Sequence, residues 1–112
     1  MESKYDHEFC KNLDMNLGRE IAAALKVFAQ ETEGAPESFV LNSTGVGDAQ
    51  KRWHEALEAM IWSFQEIANG KPGRPDPDTL SDADFKRQLQ SYNKRVQHGL
   101  ALFAEHYTNL WL

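Results

Sequence analysis

The stretch DAQKRWHEALEAMIWSFQEIANG constrains this chain more than any other part of it. Its large apolar residues, Trp53, Leu57, Met60, Ile61, Phe64 and Ile67, recur at spacings of three and four, the period of one helix face and not of a strand. A helix with such a stripe has to bury it against other elements. Asp48 is suited to cap its start and Asn69 with Gly70 to end it, so the spacing predicts a helix over about 49–69. Trp62 lies roughly one hundred degrees from Ile61 around that helix. Its indole either widens the buried face or is left outward.

Two further segments carry the same period. Leu17, Ile21, Leu25 and Phe28 share one side of a predicted helix over about 16–33, strengthened by the alanines at 22–24 and stopped by Gly34 and Pro36. After Ser81 or Asp82, the residues Phe85, Leu89, Tyr92, Val96, Leu100, Phe103, Tyr107 and Leu110 keep a stripe for nearly thirty residues, which predicts a long C-terminal helix over about 82–111. Gly99 is the candidate interruption, because a glycine inside a helix is unfavourable unless a kink or a close approach requires it. The expected fold is therefore all-α, about three helices in one small bundle forming a single domain over 1–112.

The linkers 34–48 and 70–81 are rich in turn residues, and the second holds three of the four prolines, as an extended strap would. Phe39, Val40 and Leu41 are too apolar for a free loop and are expected to lie over the helices. Apolar residues at 41% and charged residues at 26% are ordinary for a globular domain. The lone cysteine, Cys10, cannot form an intramolecular disulfide, which fits a reducing, cytoplasmic setting. The N-terminal MESKYDHEF has acids where a secretory signal has a basic and apolar start, and no apolar run reaches membrane-spanning length.

A net charge of −5 argues against general nucleic-acid binding, which needs clustered bases. Residues 1–84 hold 16 acids and 8 bases, whereas residues 85–112 hold Lys86, Arg87, Lys94 and Arg95 against Glu105 alone. The last helix is the basic element.

Patterns that would carry catalysis or bind a metal compete with plain structural roles. His54 with Glu58, and His98 with Glu105 and His106, fall at helical spacings, but neither HExxH nor the Glu-x-x-His of di-iron bundles is present. No GxSxG elbow exists, and Cys10 with His7 three residues away reads as a spectator. STGVGD lacks the Lys-Ser/Thr ending of a phosphate-binding loop, and Asp48 would repel an anion there. No metal and no cofactor is expected. What remains is an aromatic surplus: Trp53, Trp62, Tyr92, Tyr107 and Trp111 exceed what a small helical domain can bury, and an exposed tryptophan or tyrosine is a typical interface anchor.

Three stretches, LDMNLGREIAAALKVF (13–28), WHEALEAMIWSF (53–64) and HGLALFAEHYTNLWL (98–112), resemble a group of small bacteriophage-encoded helical accessory proteins. The chain departs from that group in its GKPGRPDPDTLSDADFKRQ insertion and in ending on Leu112. The resemblance implies a phage-type accessory protein that acts by binding, and it transfers no functional residues.

Together these readings lead to a non-enzymatic protein–protein interaction module that inhibits a host or defence factor and is able to self-associate. A binder that sequesters a small nucleotide-like ligand is the alternative, and a small metal-dependent enzyme comes last. The expected binding surface is the C-terminal end of the last helix, where Tyr107, Leu110, Trp111 and Leu112 crowd the final six residues. Trp62 would lie beside them, and Lys94, Arg95 and His98 would form a cationic rim.

Overall fold

Five α-helices follow one another in a computed structural model of the chain, which describes residues 3–112 and, at Val46, the backbone alone. They are α1 His7–Lys11, α2 Leu13–Glu31, α3 Glu37–Leu41, α4 Val46–Ala68 and α5 Asp82–His106. A 3-10 turn, Tyr107–Asn109, follows α5, and no strand occurs among the described residues. Met1 and Glu2, the first residues of the acidic N-terminal stretch, lie outside that range.

The three long helices match the three periodic segments, with altered ends. α2 starts at Leu13 rather than near 16, because α1 runs directly into it: Asp6 caps α1 by accepting from the Phe9 amide at 3.0 Å, and Asn16 reaches back to the Phe9 carbonyl at 2.9 Å. α4 starts at Val46, so Asp48 sits in its first turn and not at its cap. Its end is as expected. Gly70, at φ 77°, and Lys71, at φ 61°, turn the chain while their amides bond to the carbonyls of Ile67 and Glu66 at 3.3 and 2.6 Å.

α5 is capped by Ser81, whose hydroxyl accepts from the Asp84 amide at 3.2 Å, and Asp82 and Asp84 in the first turn complement the helix dipole. It ends at His106, not 111. There His106 is buried with its ring 5.1 Å from that of Phe39 and 5.5 Å from that of Trp53. Beyond it the chain tightens into i→i+3 bonding, with the Leu110 amide on the Tyr107 carbonyl, and Leu110 turns against the core. Gly99 does not interrupt the helix.

α4 is the centre of the fold. α2 packs antiparallel on one side of it and α5 on the other, and no Cα of α2 lies within 8 Å of one in α5. The expected small bundle is therefore a slab, 50 × 47 × 19 Å, whose middle helix separates the outer two. Its radius of gyration is 16.8 Å. A compact domain of this length has about 13 Å.

Glycine permits the close seams. A Cβ on Gly99 would run into the Ala59 carbonyl and the Ser63 side chain, and Ser63, fully buried, donates instead to the Val96 carbonyl at 2.9 Å. On the other side, Gly18 brings α2 against the Phe64 carbonyl. Between the seams lie Ala22, Leu25, Trp53, Ala56, Leu57, Met60 and Phe64. Phe39 of α3 covers Trp53 at 5.5 Å, as expected of the apolar linker, whereas Val40 and Leu41 are exposed.

Candidate functional site

One face of the slab is an open apolar groove. α2 contributes Leu13, Leu17 and Ile21, spaced four apart on one side of the helix; α4 contributes Phe64 and Ile67; α5 contributes Leu100. The groove has a volume of about 520 Å³, and Asp14 at its edge is its one charged lining residue among those described. Leu13 and Leu17 remain 45% and 41% exposed, although their spacing is that of a core stripe. The reason is architectural: with α2 and α5 on opposite sides of α4, nothing closes over the angle between them. Two further rings follow on from Phe64, one on α5 and one in the 3-10 turn after it. Phe103 stands edge-on to Phe64 at 4.9 Å, and Tyr107 edge-on to Phe103 at 5.6 Å.

The chain end forms a second recess. Glu31, Glu33, Glu37, Trp53, Asn109, Trp111 and Leu112 are among the residues lining a cleft of about 600 Å³ between the end of α2, the start of α3 and the C-terminus. Trp111 and Leu112 are 75% and 68% exposed there. Three carboxylates on one cleft repel phosphate.

The seven residues expected from sequence to form one surface are divided by the structure. Trp62 is half-buried on the α4–α5 seam, with the Arg95 guanidinium 3.7 Å from its ring centre and Tyr92 edge-on at 5.8 Å. Arg95 is thus the lid on Trp62. Trp62 does not lie beside the chain end: it packs where Tyr92 and Arg95 pass, and α5 rises about 16 Å from Arg95 to His106. Lys94 and His98 are exposed on the same helix. Tyr107 is 64% exposed and ends the row of rings from Phe64, Trp111 belongs to the acidic cleft, and Leu110 packs on the core.

Of the histidines that could have carried chemistry, His54 and His106 have structural partners, the latter among the rings of Phe39 and Trp53. His54 places Nε2 3.0 Å from the Ala29 carbonyl, which ties α4 to α2, and Nδ1 2.9 Å from the Gln50 carbonyl one turn back on α4 itself. Among the described residues no three His, Cys, Asp or Glu side chains come together as a metal cluster would. Cys10 is exposed.

Acids on this helix are expected from the sequence to face solvent, and Glu66 does not. It is buried, and its Oε1 accepts from the Tyr92 hydroxyl at 2.9 Å and from the Gly73 amide at 2.8 Å. Burial first, and the bond to Glu66 second, push the Tyr92 phenol up from 10.0 to about 12. This clamp fastens the proline-rich strap to both α4 and α5. Gly73 fits because a Cβ there would stand 2.6 Å from the Glu66 carboxylate. Neither the groove nor the C-terminal cleft is lined by Glu66 or Tyr92. The pair is a structural tie.

No family model matches the chain, and comparison with curated proteins and with solved structures finds no similar one.

Proposed function

We propose that this protein acts by binding another protein, and that the α2–α4–α5 groove is where it does so. The single observation that carries this reading is an open groove whose lining is apolar except for Asp14. Leu13 and Leu17, left 45% and 41% exposed along it, give that face the apolar exposure from which interaction sites are built. Leu17, Ile21, Phe64 and Leu100 offer an apolar lining suited to an apolar helix face, and Tyr107, exposed beyond Phe103, is an amphipathic aromatic of the kind that anchors interfaces.

The resemblance to phage accessory proteins supports a role in inhibiting a host or defence factor, and Cys10, exposed and single, supports action in the reducing cytoplasm. Among the described residues no helix is long and apolar enough to cross a membrane. Sequestration of a nucleotide-like ligand is disfavoured by the geometry. The polar cleft carries Glu31, Glu33 and Glu37, and the groove offers a phosphate no cation.

A photo-crosslinking residue placed at Leu17 tests the reading in lysate, with Lys94 as the exposed control. A discrete protein adduct at position 17 and none at 94 is expected. Absence of any protein adduct at 17 overturns it.

A further inference from the structure

We infer that the occupant of the groove is a second copy of this chain, docked face to face about a two-fold axis. The inference rests on the proposed binding role of the groove and names its partner.

Surface area is the first ground. The chain exposes 7862 Å². A compact monomer of 12.8 kDa exposes about 6,300 Å², so about 1,600 Å² is in excess. Half of that excess, about 800 Å², is one side of a standard stable interface; the excess is spread over the whole chain, and Leu13, Leu17 and Tyr107 are the large apolar residues that bring part of it to the groove side. The slab shape has the same cause, because a layer in which α4 keeps the outer helices apart becomes a two-layer core when two grooves face each other.

Charge chooses the face. An isologous interface sets each patch against itself, so a charged patch meets its own sign. The groove lining is apolar except for Asp14 at its edge, and it faces itself without repulsion. The C-terminal cleft would set Glu31, Glu33 and Glu37 against the same three carboxylates. Self-association therefore belongs to the groove and not to the chain end that the sequence singles out. In the pairing, Leu13, Leu17 and Ile21 of one copy seat against Phe64, Leu100 and Phe103 of the other.

Sedimentation equilibrium of the purified chain tests this. The wild type should show twice the chain mass, and Leu17→Lys should halve it while keeping the helical circular dichroism spectrum. Trp111→Ala should remain dimeric. An isotope-filtered spectrum of mixed labelled and unlabelled wild type needs no variant to fold, and it should show Leu17 methyl contacts to Leu100 or Phe64 of the other copy. A monomeric wild type overturns the inference, as does a dimer whose contacts between copies lie elsewhere. If the chain is monomeric while the crosslinker at Leu17 still captures a different protein, the second copy is wrong and the binding role stands. If both fail, both fall.

Discussion

The Tyr92 hydroxyl lies 2.9 Å from the Glu66 carboxylate and donates to it across the α4–α5 seam. With the phenol raised from 10.0 to about 12, the folded state holds its proton more tightly than the unfolded chain does. The stability gained is fully present below pH 10 and is lost as the pH rises through about 12. Tyrosinate absorbance should show a late-ionising phase near pH 12 that Tyr92→Phe removes. The same variant strands a buried carboxylate with one donor fewer, a loss of about 1–3 kcal/mol at neutral pH by denaturant unfolding.

Gly99→Ala should destabilise despite alanine's better helix propensity. Its methyl meets the Ala59 carbonyl, a backbone atom that has no rotamer to move to, so the seam has to open. A cost of about 1–3 kcal/mol is expected. Gly18→Ala, whose methyl would stand 3.3 Å from the Phe64 carbonyl, should be far milder, since propensity offsets the crowding. Equal effects would mean that the two seams are not packed as described.

Leu57 is fully buried at the centre of α4, between both seams. Leu57→Ala should cost about 2–5 kcal/mol. Thermal melts that match the parent would place α4 in another orientation.

The chain end should separate into two behaviours. Trp111→Ala, at a residue 75% exposed, should leave the melt within about 0.5 kcal/mol of the parent. Leu110→Ala, one residue earlier and packed on the core, should lose about 1–2 kcal/mol. The two melting curves decide the matter.

The long helices were legible because Trp53, Leu57, Met60 and Phe64, like Val96, Leu100 and Phe103, repeat over many turns. Five residues, as in α1 or α3, are too few to display a period. Glu66 was hidden because a carboxylate beside an apolar stripe ordinarily faces water, and its partners Gly73 and Tyr92 come from distant segments. The groove was hidden for a deeper reason. Leu17 and Ile21 announce a face that wants covering, but periodicity does not say whether the cover comes from the same chain. Trp62 posed the opposite case: its off-stripe position was visible, while the Arg95 that shields it is contributed by another helix.

No Cα of α2 lies within 8 Å of one in α5, and α4 is the long helix on which both pack. Phe64 touches both neighbours, its backbone carbonyl against Gly18 of α2 and its ring against Phe103 of α5. Peeling α2 away would strip one flank of α4 while the α4–α5 hairpin kept its clamp and its Ser63 bond. Amide exchange should then follow a gradient, slowest along α4 and fastest along α1, whose helix contacts are with α2 alone.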